Sequence, residues 1–421
     1  MNFKLYSCKW LTALIIMLLS CAQEKRQEII QSWESGLQTG QWLEDLDYLA
    51  TELPKHHKNL FFQLKEEDFH RDIEKLKDEI PYLEDYKIIA GIMKIIAKVG
   101  DSHTSVAIWK IPAFRYIPVD FKLYSDGVFA TAAIEEYKTV VGKKLIRINQ
   151  VGIEKVIDRL EAVIPHENEA QIKGQVPWLL GCSEILDALD IVDGPDSVKM
   201  EFEGVGEILL RPVHFDTEGI NLISAFDEGQ ELPLYLRNKD LFYWYYWIDD
   251  KHTLYFQYNR CAEADTLTFK DFMEEMLAFM DDHKIEKFIF DMRLNGGGNS
   301  SIAEPLIKAL KDNEQINHHG KLFVCIGRNT FSSAILNSIK LKKETNAIFV
   351  GEPTGGKPNH YGEVRNLILP NSGITINYST KYFKETEEDE PSLYPDIEIE
   401  LSSTDFFTGR DPVLEAVLRN K

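Results

Sequence analysis

From residue 251 onward, short apolar runs alternate with amphipathic stretches, and this order constrains the fold more than any other feature of the chain. Thr253-Leu-Tyr-Phe-Gln-Tyr258, Lys287-Phe-Ile-Phe-Asp291, Leu322-Phe-Val-Cys-Ile326 and Ala347-Ile-Phe-Val350 have the length and composition of strands. Between the first two, residues 267–283 put Phe269, Phe272, Met276 and Phe279 on one side of a helix. Residues 303–310 and 333–341 read as further helices. A βαβα order predicts a largely parallel sheet with helix cover. Ligand sites in such sheets lie beyond the carboxyl ends of the strands.

Ahead of this core the chain changes character twice. Residues 41–105 read as helical, with Leu43, Leu46, Leu49 and Leu53, then Ile88, Ile89, Ile92, Ile95 and Ile96, at helical spacing. Residues 106–215 are β-rich, and the stretch from Gly142 to Gly152 resembles the strand–turn of a PDZ-like module. Residues 216–250 form an aromatic-rich connector whose run at 241–247 reads as core and edge-strand packing. The expected fold class is α/β and multi-domain: a helical N-terminal subdomain, a β-rich, PDZ-like middle and a C-terminal α/β core over 251–421. At 421 residues the chain is long enough for two or three domains.

Charge narrows the function classes. The chain carries 47 Lys+Arg against 68 Asp+Glu, a net charge of −21. A nucleic-acid binder needs a basic face, and so does a polybasic hold on anionic lipid. Neither partner is expected on charge grounds. The N-terminus reads as a secretory leader: Lys4 and Lys9 precede an apolar run of about ten residues, too short to span a bilayer. Leu18-Leu19-Ser20-Cys21 resembles a lipobox, so residues 1–20 are expected to be removed and Cys21 to carry lipid. Residues 21–40 then form a polar tether, and the membrane is met through the anchor alone. The protein is thereby expected on the periplasmic or surface side of a bacterial envelope. Cys182, Cys261 and Cys325 remain, widely spaced and odd in number, which is no disulfide framework. There is no CxxC pair and no HExxH, so no metal is expected.

Three segments at element ends carry unusual residues. The strand ending at Asp291 runs into Met292-Arg-Leu-Asn-Gly-Gly-Gly298. Three successive glycines cost backbone entropy and permit close backbone approach, as an oxyanion requires. A phosphate cradle and a plain tight turn are the rival readings. Arg328-Asn-Thr-Phe-Ser-Ser-Ala334 follows a strand and opens a helix. A serine there is either lifted towards substrate at a helix N-terminus or is an N-cap. Asp101-Ser-His103 offers a histidine, the natural base near neutral pH.

Together these segments resemble the S41 family of serine peptidases, the tail-specific, C-terminal-processing and tricorn-core group. Gly100-Asp-Ser-His-Thr104 is similar to the family's G-D-x-H-T, and Asp291 to Gly298 to its D-x-R-x-N-G-G-G. Thr330-Phe-Ser-Ser-Ala334 is similar to its T-x-S-A turn, and Val350 to Lys357 to its V-G-E-x-T-x-G-K. The resemblance implies a ClpP/crotonase-like catalytic core acting on a peptide or protein substrate without a cofactor. It implies Ser333 as nucleophile, with an oxyanion hole from the amides of Gly296 and Ala334. Two bases are implied. The tricorn arrangement uses His103, held by Ser102 and by an acidic residue before Pro395, with Asp389 and Glu390 as candidates. The processing branch uses Lys357. The competing function is a catalytically silent peptidase-fold protein that binds extended peptides or an apolar ligand.

Overall fold

A computed structural model describes residues 35–214, 217–226 and 231–420. The leader at 1–20, Cys21 and most of the tether lie outside the described residues. The end of the tether does not: the first described helix, Thr39–His56, begins inside it. Among the described residues no helix is long and apolar enough to cross a membrane.

The βαβα reading of the C-terminal part holds. Six strands form one sheet in the order Tyr243–Ile248, Thr253–Tyr258, Lys287–Asp291, Leu322–Ile326, Ile348–Gly351, Ile397–Glu398. The first pair is antiparallel and the rest are parallel. The aromatic run is the edge strand, as its composition predicts. Alternation along each strand feeds two cores. Phe288, Phe290 and Val324 point to the side covered by helices Phe269–Asp282, Glu304–Asp312 and Ser333–Glu344. Ile289, Phe323 and Val350 point to the other, closed by Val413 and Val417 of helix Pro412–Arg419. Burial on both faces explains why these strands read as nearly continuous apolar runs.

The remainder packs around a third core. Leu46 and Ile89 of the N-terminal helices, Val128 and Leu145 of the middle sheets, and Leu367 and Ile376 near the C-terminus belong to one apolar cluster. The last two come from a hairpin, His360–Ile368 with Thr375–Phe383, which the sequence patterning did not reveal. Ser105–Val106 adds to it as a third strand. The middle region also contains more helix than its pattern suggests: Ile153–Glu161, Glu169–Leu179 and Ser183–Ala188. Asn168 caps the second of these by accepting from the Gln171 amide at 2.9 Å. All three described cysteines are free and buried, Cys325 among them as expected.

Candidate active site

Three loops leave the carboxyl ends of neighbouring parallel strands and meet. The first is built by its polar residues. Arg293 donates to Asp291 at 2.6 Å and, through both Nη atoms, to Asp411 at 2.9 and 2.8 Å. Asn295 donates to the Tyr258 carbonyl and accepts from the Gly297 amide, both at 2.9 Å. Two glycines are then obligatory. Gly297 has φ +104°, and a Cβ there would stand 2.7 Å from the Ser332 Cβ. Gly298 has φ +134°, and a Cβ would stand 2.1 Å from the Cys261 carbonyl oxygen. The glycine run therefore exists to bring backbone against the serine turn.

The second loop carries that turn. Thr330 ties it down, its hydroxyl donating to the Met292 carbonyl at 2.8 Å. Ser332 sits at φ 53°, ψ −125°, immediately before helix Ser333–Glu344. A non-glycine residue held there costs on the order of 1–3 kcal/mol and is found where function requires it. The third loop, after Gly351, lies across the turn. The Gly355 amide donates to the Thr330 carbonyl at 3.1 Å, and a Cβ on Gly356 would meet the Phe331 ring.

This geometry sets the expected serine, Ser333, apart from its neighbour Ser332. The Ser333 hydroxyl is buried and donates to the Gly298 carbonyl at 2.6 Å, so it is engaged in holding the two loops together. Ser332 is half-exposed and makes no hydrogen bond among the described residues through its side chain. The expected oxyanion donors shift likewise. The Ala334 amide donates to the Phe331 carbonyl at 3.1 Å and is taken. The amides of Ser333 and Gly296 have no acceptor among the described residues; Ser333 follows Ser332 directly, and the loop carrying Gly296 meets the turn where the Phe331 amide donates to the Asn295 carbonyl at 3.0 Å.

His103 reaches the turn from the N-terminal region. Its ring stacks on Phe331, with centroids 4.4 Å apart, and on His360 at 5.5 Å. Neither ring nitrogen has a hydrogen-bond partner among the described residues, so the expected hold from Ser102 on the imidazole is not made. The loop is fixed instead by Asp101. This buried carboxylate accepts from His57 Nε2 at 2.9 Å, from the Thr104 hydroxyl at 2.6 Å and from the His103 amide at 2.9 Å. Burial raises the Asp101 pKa, but His57, the charge of His103 and Thr104 outweigh it and hold it at about 2. Burial pushes His103 down to about 4, so its ring is neutral at pH 7 and free to take a proton.

The acid near His103 is one the sequence did not point to. Glu167, in the loop before helix Glu169–Leu179, lies beside Ser102 and accepts from the Lys357 amide at 2.9 Å. Burial pushes it up to about 7, against the pull of that amide. Asp389 and Glu390, the expected acids, are exposed. Asp389 instead pairs with Lys357 Nζ at 2.6 Å, which takes the lysine away from the serine turn. Donor atoms of Asp101, His103 and Glu167 lie within 4.8 Å of one another. A cation held by all three would occupy the imidazole nitrogen that a base needs.

No protein-family model matches the sequence, and no curated protein matches it. Solved structures do. Mature CPAF complexed with lactacystin has a TM-score of 0.62 at 14% identity, covering 90% of this chain and 98% of that one. Mature CPAF alone gives 0.61 at 15%, covering 90% and 97%. The photosystem II D1 C-terminal processing protease gives 0.41 at 12%, covering 90% and 96%. At these identities the likeness is one of architecture: the fold of this chain is that of mature CPAF.

Proposed function

We propose that the chain is a serine peptidase that hydrolyses peptide bonds through an acyl-enzyme on Ser332, with His103 as base and Glu167 supporting it. The observation that carries this reading is Ser332 itself: a strained serine at the start of a twelve-residue helix, between free amides and next to the ring that stacks on His103. As Ser332 Oγ attacks a substrate carbonyl, its proton passes to neutral His103. The oxyanion faces the Ser333 and Gly296 amides, and the helix N-terminus adds to their field. Ionised Glu167 stabilises the imidazolium. His103 then protonates the leaving amine, and water releases the acyl group. The stack of His103 on Phe331 positions the base without a hydrogen bond in the resting state.

Labelling by a fluorophosphonate probe tests the reading. Wild-type protein should be marked on Ser332, and an unlabelled yet folded protein would favour the silent binding protein instead. Lactacystin, which CPAF holds, is a second probe.

The pH profile tests the acid. Glu167 supports the base only when ionised, so kcat/KM should rise as pH increases through about 7. Glu167→Gln should lower kcat roughly 100-fold and remove that limb. A profile unchanged in Glu167→Gln would exclude the role.

We further propose that the body is tethered by lipid at Cys21 on the periplasmic or surface side of the envelope. Cys21→Ser should move the protein from the membrane fraction to the soluble one. Retention of the variant in the membrane fraction would overturn the tether.

A further inference from the structure

A cavity of about 350 Å³ lies beyond the carboxyl ends of strands Leu322–Ile326 and Ile348–Gly351, with Ile326 and Gly351 in its lining. This volume falls in the range of small-molecule sites. The cavity is separate from the serine turn. None of Gly296, Ser332, His103 and Glu167 lines it. The loop of the turn stands between the two, presenting Arg328 and Asn329 to the cavity and Phe331 to His103. Its walls are rich in aromatic side chains: Phe121, Tyr124, Trp178 and Tyr235.

The charges of the lining are paired, with two exceptions among the described residues. Arg293 is held by Asp291 and Asp411. Arg328 is held by Glu352 and Glu400, and Lys173 by Glu169 and Glu400. Lys122 has no carboxylate at ion-pair distance among the described residues. Its ammonium stands 5.0 Å from the centroid of the Phe406 ring. Asp120, the other unpaired charge in the lining, is exposed. Two further polar groups lack partners: the hydroxyls of Tyr124 and Tyr235 are buried and make no hydrogen bond. Burial pushes both phenols up, so they stay protonated donors. Burial, with Lys239 and Arg328 nearby, pulls Lys122 down to about 8, which leaves it mostly charged at pH 7. One unpaired cation among aromatic walls matches a monoanion with an aromatic body.

We propose that this cavity binds an arylalkyl monocarboxylate, its ring among the aromatic walls and its carboxylate on Lys122. The site is independent of the peptidase reading: fluorophosphonate labelling reports Ser332, and binding here reports Lys122.

Calorimetric titration of the full chain with 4-phenylbutyrate, 4-phenylbutanol and 4-phenylbutylamine tests it. The three share a body and differ in charge. The acid should bind roughly tenfold or more tightly than the alcohol, the scale of a hydrogen bond to a charged group, and the amine more weakly still. Lys122→Met keeps the apolar stem and should erase the preference for acid over alcohol. Thermal unfolding of the variant checks that it folds, and the wild-type ranking decides the matter if it does not. Equal binding of acid and alcohol by the wild type would overturn the proposal. So would an unchanged preference in Lys122→Met, or no binding of the acid at millimolar concentration.

Discussion

Ser332→Ala should reduce kcat/KM by about 10⁴- to 10⁶-fold, the scale seen when a nucleophile is removed and binding groups remain. Ser333→Ala should behave differently. Its hydroxyl makes one buried bond to the Gly298 carbonyl, so the variant should lose about 1 kcal/mol of stability and keep labelling by a fluorophosphonate. The two serines are adjacent and chemically identical, so the pair is a controlled comparison. The difference between them is conformational: one hydroxyl is lifted by a left-handed backbone and the other is turned into the protein. If Ser333→Ala is dead and Ser332→Ala is active, the assignment is reversed.

Arg293→Met should cost about 3–5 kcal/mol of folding stability, read as a lowered midpoint in urea. The guanidinium lies between two carboxylates whose side chains are almost wholly buried, Asp291 and Asp411. Removing it leaves both without a counter-charge, while methionine fills much of the volume. The damage should be partly reversed by adding Asp291→Asn and Asp411→Asn, because the buried charges then disappear with their partner. A loss below about 1 kcal/mol would show that this pair contributes little. The Asp-x-Arg of the glycine-rich segment is therefore a clamp between sheet end and C-terminal helix, at a distance from the reacting atoms.

The parts of this molecule legible in its sequence are those set by local pattern. Strands Lys287–Asp291 and Leu322–Ile326 fall where their apolar runs do, because burial on both faces leaves a continuous signature. His103 and the glycine run were visible as residue types. The choice between Ser332 and Ser333 was out of reach because two serines in a row look alike until the backbone at Ser332 is known. Glu167 was out of reach for another reason. It is 190 residues from the Lys357 amide it binds, in the β-rich middle with no motif around it. Tertiary packing alone brings it to the base. The same packing turned Lys357 towards Asp389. The hairpin 360–383 was hidden because Glu363 to Asn366 are exposed in succession, which breaks a period of two.

The way the apolar cores interleave along the sequence has a consequence for the living chain. His103 and Glu167 come from the first half of the sequence and Ser332 from the second, and the apolar body around the first half is completed only by Leu367 and Ile376, which are translated after Ser332. Neither half holds a working set, as in an enzyme supplied as two complementing fragments. On the proposed assignment, a chain cut short before the 360–383 hairpin should take no fluorophosphonate label.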